Sequence, residues 1–85
     1  MGRRRGEVDI LVDVLGIALK EVRVTHLMYR ANLSYATLRR YLVAALDKGL
    51  IRKVHNGDGT VVYRTTDKGE ALLKQLRAAD YSLFS

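Results

Sequence analysis

Residues 25–49 read Thr-His-Leu-Met-Tyr-Arg-Ala-Asn-Leu-Ser-Tyr-Ala-Thr-Leu-Arg-Arg-Tyr-Leu-Val-Ala-Ala-Leu-Asp-Lys-Gly, and their spacing decides the fold. Thr25 carries a side-chain oxygen suited to cap a helix, and Leu27 and Met28 turn apolar groups inward along a segment that runs to about residue 31. Asn32 and Leu33 leave room only for a tight connection before Ser34, a second capping residue, opens a helix over residues 35–48. Placed at about 100° intervals, Leu38, Tyr41, Leu42, Ala45 and Leu46 collect on one side of that helix. Ala36, Arg40, Val43 and Asp47 point the opposite way, with Thr37, Arg39 and Ala44 on the flanks. Gly49, directly after Lys48, stands where a left-handed residue ends a helix. The unit is helix, tight turn, helix, and the exposed start of its second helix is small, hydroxylated and cationic.

Upstream, Ile10, Leu11, Val14, Leu15, Ala18 and Leu19 recur at helical spacing, predicting a helix over residues 8–20. Gly16 inside it costs about 1 kcal/mol relative to Ala and marks either a close contact or simple tolerance, the latter being favoured. Val22-Arg23-Val24 alternates and is β-branched, which fits a three-residue edge strand. Downstream, residues 50–55 and 60–65 are strand-like runs around Asn56-Gly57-Asp58-Gly59, a sequence that tolerates positive φ, so a β-hairpin is expected. Thr66 or Asp67 then caps a last helix with Ala71, Leu72, Leu76 and Ala79 on its apolar stripe; the Asp67 alternative places Glu70 in a capping box. That helix is expected to end near Asp80. The division is a basic arm over residues 1–7, one domain over 8–80 and an apolar tail over 81–85.

With 85 residues there is room for one small domain, which excludes a two-domain enzyme. The absence of cysteine removes disulfides, zinc knuckles and thiol nucleophiles and points to a reducing, cytoplasmic setting. Apolar runs are broken every few residues by Asp, Gly or Lys, far short of a membrane span, and Arg3-Arg4-Arg5 is followed by Glu7 and Asp9 rather than by a signal-peptide core. His26 and His55 sit on separate elements with no carboxylate cluster around them, so they read as surface or capping residues and no metal, cofactor or catalytic role is expected.

Net charge is +6, and its distribution is the informative part. Residues 1–21 and 65–85 each balance to zero. Residues 22–64 hold Arg23, Arg30, Arg39, Arg40, Lys48, Arg52, Lys53 and Arg64 against only Asp47 and Asp58, which is the whole surplus. Such a segment has the electrostatic footprint of a polyanion binder. Ten of the fifteen cations are Arg, whose planar fork suits phosphate and guanine edges.

The predicted order, helix, short strand, helix, turn, helix, hairpin, helix, describes an α+β, mostly helical winged helix-turn-helix: a three-helix core, a β-hairpin wing and a C-terminal helix. Ala31-Asn32-Leu33-Ser34-Tyr35, then Leu38, Tyr41-Leu42, Leu46 and Lys48-Gly49-Leu50-Ile51, resemble the turn and recognition helix of small archaeal winged-helix DNA-binding proteins. Tyr63-Arg64-Thr65-Thr66-Asp67-Lys68-Gly69 is similar to the stretch where their second wing strand enters the last helix. The resemblance spans about residues 8–79. It implies a DNA-binding transcriptional regulator or small chromosomal protein, commonly a homodimer, with Tyr35, Ala36, Thr37, Arg39 and Arg40 in the major-groove helix. The wing, residues 52–64, would lie along the backbone or in the minor groove. Members often dimerise through a long C-terminal helix; here that helix has room for about 15 residues, and the apolar tail is the candidate substitute.

The expected interface with double-stranded DNA is therefore Ser34, Tyr35, Ala36, Thr37, Arg39 and Arg40, with Arg52, Lys53 and Arg64 on the hairpin and Arg3, Arg4 and Arg5 in the arm. Which of Arg39 and Arg40 reaches bases is open. The arm serves either a groove or solubility. Tyr35 either packs under the turn, the favoured reading, or touches the backbone through its hydroxyl; Asp58 opposes phosphate unless it caps its own turn. Leu76, Tyr81, Leu83 and Phe84 are the dimer candidates, and the expected setting is cytoplasmic and nucleoid-associated. The alternatives are a protein-interaction module of a larger assembly and an RNA-binding module using the same basic face.

Overall fold

The first helix, α1 (Glu7–Ile17), opens at Gly6, whose N–H donates to the Asp9 carboxylate at 3.1 Å. The computed structural model describes residues 6–84, and the side chains of residues 6–78. Helix α1 buries Ile10, Val14 and Leu15 and ends earlier than its periodicity predicts, because the carbonyls of its last turn are claimed from a distance. The Thr65 N–H donates to the Ala18 carbonyl at 2.8 Å, and the Thr65 hydroxyl donates to the Leu15 carbonyl at 2.7 Å.

Past α1 the chain pairs once with the hairpin. Val22 exchanges two hydrogen bonds with Tyr63, at 3.0 and 2.8 Å, and the expected three-residue strand reduces to this single bridge. Arg23 is the N-cap of α2 (Val24–Ala31), with no side-chain cap, so Thr25 lies inside the helix instead of capping it. The long-range pairing of Val22 sets this boundary and overrides the local capping signal. Helix α2 ends on Asn32 in the left-handed conformation (φ 55°, ψ 51°), with the Leu33 N–H reaching back to the Met28 carbonyl at 3.1 Å. Asn is the side chain besides Gly that most readily adopts this conformation, and it makes the reversal between the two helices tight.

Helix α3 (Tyr35–Asp47) is capped by Ser34 as expected, and Leu38, Leu42 and Ala45 are buried. Its end is a Schellman closure: Gly49, at φ 73°, donates to the Leu46 carbonyl at 3.1 Å, and Leu50 donates to the Ala45 carbonyl at 2.8 Å. Strands β1 (Ile51–His55) and β2 (Val61–Thr65) pair antiparallel with Ile51 opposite Thr65, Arg52 opposite Arg64 and Lys53 opposite Tyr63. Alternation along the strands puts buried Ile51 and Thr65 on one face and exposed Arg52 and Arg64 on the other.

Helix α4 spans Asp67–Phe84. Of the two candidate caps it uses Thr66, whose hydroxyl oxygen accepts the Gly69 N–H at 3.0 Å; Asp67 is the first helical residue, so no capping box forms with Glu70. The helix continues past Asp80, since residues 81–84 hold neither Gly nor Pro to stop it, and what was expected as a tail is backbone of its last turn. The core gathers Val14, Leu15, Ala18, Leu27, Leu38, Leu42, Leu50, Ile51 and Leu73 from all four helices and β1. Complete burial of a leucine such as Leu15, Leu27 or Leu38 contributes on the order of 2 kcal/mol. The winged helix-turn-helix arrangement read from the sequence is the arrangement formed. Among the described residues no helix is long and apolar enough to cross a membrane.

Candidate nucleic-acid interface

The turn between α2 and α3 sets the first part of the site. Ser34 Oγ accepts the Thr37 N–H at 3.2 Å and donates to Thr37 Oγ1 at 3.0 Å. The two hydroxyls therefore hold each other, and Thr37 is half-buried while Ser34, Tyr35, Ala36, Arg39 and Arg40 are exposed. Tyr35 is 54% exposed, which overturns the expectation that it packs under the turn. It lies on the apolar stripe but one turn before Leu38, past the edge of the buried cluster. Two further exposed groups were not singled out as contacts: Tyr29 at the end of α2, 74% exposed, and Val43 on the outward face of α3, 53% exposed. A large apolar group left on an otherwise polar face was the only available signal for either.

Arg40 lines a small groove, about 140 Å³, with Glu7, Tyr41 and Ala44, and so stands on the α1 side of the outward face. The hairpin cations are arranged differently. Arg52 and Arg64, opposite each other in register, line a cleft of about 470 Å³ with Leu19, Gly49, Thr66, Asp67, Lys68 and Glu70. They are at the base of the hairpin against the start of α4, while Lys53 pairs with Tyr63 and belongs to the other face. The structure thus joins Arg52 with Arg64, while Arg39 and Arg40 diverge to the two flanks of the outward face of α3.

The tip of the hairpin is built by its own side chains. Asn56 and Thr60 close a three-residue loop whose last member, Gly59, has φ 90°; the Asn56 N–H donates to the Thr60 carbonyl at 2.9 Å. Asn56 Nδ2 donates to Thr60 Oγ1 at 3.0 Å, and Asp58 Oδ1 accepts both the Thr60 hydroxyl at 2.7 Å and the Thr60 N–H at 3.0 Å. Asp58 does cap its own turn. The Thr60 hydroxyl, then the Thr60 N–H, hold its carboxyl below the usual aspartate value, and the Arg23 guanidinium adds a smaller favourable field. Arg23, at the start of α2, thereby joins the cations near the wing; its distance in sequence from the hairpin concealed this.

Arg3, Arg4 and Arg5 lie outside the described residues, as do the side chains of Tyr81, Leu83 and Phe84. Leu76 is half-buried in a groove of about 150 Å³ with Val8, Asp9, Val12 and Asp13. His26 and His55 are exposed, and among the described residues no group of three or more His, Asp or Glu is placed to hold a metal ion.

The sequence pattern of the winged helix-turn-helix family matches residues 4–82. The chain belongs to that family. This winged helix-turn-helix protein is 39% identical over 74 residues to an uncharacterized protein of the archaeon Methanocaldococcus jannaschii; the match takes in 86% of this chain and 33% of that relative, so the chain spans about a third of its length. Its fold is similar to that of Sso10a-2, a DNA-binding protein from Sulfolobus solfataricus, with a TM-score of 0.77, 25% identity, 93% of this chain and 88% of that one covered. It also resembles the transcriptional regulator BldR from the same organism, with a TM-score of 0.78 over 87% of this chain and 55% of that one; at 17% identity this is a likeness of fold alone.

Proposed function

We propose that this winged helix-turn-helix protein binds double-stranded DNA, with α3 in the major groove and the hairpin beside the backbone. The observation that carries the reading is the exposed start of α3, where Arg39 and Arg40 flank small Ala36, within the segment that holds the whole charge surplus. A helix with this face enters a major groove with its N-terminal residues on base edges. The DNA-binding Sulfolobus neighbour, which covers nearly this entire chain, supports the same assignment.

Affinity comes mainly from counterion release. Neutralising six to eight phosphates gives a slope of log K against log salt of roughly −5 to −7 per bound unit. A mobility-shift titration against random duplex at two salt concentrations reads this slope. Failure to shift duplex DNA, or stronger binding to duplex RNA or single strands, rejects the reading.

The finer statement is that the protein works as a homodimer, as a nucleoid-associated regulator or architectural protein. Val8, Val12 and Leu76 form an apolar seam between α1 and α4, with Asp9 and Asp13 beside it on α1. A two-fold related copy that lays the same seam against this one would cover Val8, Val12 and Leu76 on both chains. Sedimentation equilibrium of the wild type and of Leu76→Glu tests this: the wild type is expected as a dimer and the variant as a monomer.

A further inference from the structure

The outward face of α3 has an unusual composition for a surface otherwise rich in charge. Ala36 and Val43, seven residues apart, lie within about 20° of each other around the helix axis, and Val43 is 53% exposed. Arg40 stands between them in height and slightly to one side, exposed. Arg39 is displaced to the opposite flank, one turn above Tyr35. The Thr37 hydroxyl is half-buried and engaged by Ser34. Further down the same stripe comes Asp47, whose carboxylate is repelled by phosphate and by guanine acceptor edges, so contact is confined to the turns before it.

We infer that α3 reads a run of about four base pairs in which thymine methyl groups meet Ala36 and Val43 and a guanine between them meets the Arg40 guanidinium. The inference rests on the DNA-binding reading and adds its specificity. The spacing follows from geometry: seven residues rise about 10 Å along a helix, which is about three base-pair steps at roughly 3.4 Å each. The chemistry follows from the groove: the thymine methyl is the apolar feature of the major groove, and guanine O6 and N7 accept the two donors of an arginine fork. Arg39, on the flank, is left to a phosphate and contributes affinity without preference.

The test separates this inference from the reading beneath it. A duplex library with a randomised core is taken through selection with the wild-type protein. Enriched duplexes are then compared with copies carrying deoxyuridine for thymidine, which removes the methyl and nothing else. Enrichment of a G·C pair flanked by A·T pairs is expected, with each uracil substitution at the flanks weakening binding about fourfold. Val43→Ser abolishes the thymine-over-uracil difference at one flank, and Arg40→Ala flattens the preference at the G·C pair by about tenfold or more. Both variants keep the helical circular-dichroism signal, since neither side chain is buried. Equal binding of thymine and uracil duplexes, or no enriched core despite tight binding to random duplex, overturns the inference and leaves DNA binding standing. Absence of binding to any duplex overturns both.

Discussion

Gly69 lies so close beneath the Leu50 carbonyl oxygen that a β-carbon at position 69 would overlap it, and would also press on the Thr65 methyl. The obstacle is backbone, which cannot swing aside as a side chain can. Gly69→Ala is therefore expected to destabilise the protein by about 1 to 3 kcal/mol through overpacking, read as a lower midpoint in urea with an unchanged slope. Gly16→Ala is the control: the added β-carbon meets only the far end of the Arg77 side chain, at 2.8 Å, and the melting temperature is expected to hold or rise.

Ser34 closes the first turn of α3 through two bonds to Thr37. Ser34→Ala is expected to cost about 1 kcal/mol, and Ser34→Asp to restore most of it, because a carboxylate accepts the same N–H. Thermal unfolding followed at 222 nm distinguishes the two.

Arg52 and Arg64 place like charges directly across the hairpin. Such a pair is unfavourable in itself, is offset only in part by Asp67 and Glu70 in the same cleft, and is relieved further when a phosphate approaches. Arg52→Ala is thus expected to leave stability unchanged or raise it slightly, while lowering the salt slope of duplex binding by about 1. A variant that loses stability and binding together would contradict this assignment of the pair.

Asp58 links protonation to the shape of the tip. Its folded-state pKa is lower than its unfolded value near 3.8, so its contribution is present above that value and is lost as pH falls through the folded one. Titration of the Asp58 carboxyl carbon by NMR is expected to give a midpoint below 3.8. The melting-temperature difference between wild type and Asp58→Asn is expected to narrow as the solution is acidified past it.

The elements with local signals were legible in the sequence. Ser34, Gly49 and Asn56-Gly57-Asp58-Gly59 mark their own turns by side-chain chemistry, and α3 and the hairpin follow to within a residue. Boundaries set by distant pairing were not. The end of α1 and the start of α2 depend on Val22 meeting Tyr63 and on Thr65 meeting Ala18, contacts across more than forty residues. The site divides in the same way. Arg39 and Arg40 are readable from helical phase. The placement of Arg52 and Arg64 against α4, the proximity of Arg23 to Asp58 and the exposure of Tyr35 depend on how elements pack, which periodicity does not encode.

Three bonds stitch the end of α3 to the opening of α4: the Thr66 hydroxyl to the Gly49 carbonyl at 2.6 Å, the Thr66 N–H to the Leu50 carbonyl at 3.0 Å, and the Lys68 ammonium to the Lys48 carbonyl at 2.8 Å. The two helices are consequently geared together at that corner. Tilting α4 swings α3 with it, so whatever grips the long helix also aims the short one. In a pair of chains joined through α4, the angle at this corner would fix how far apart the two probes enter successive grooves, and hence the spacing of the half-sites they fit.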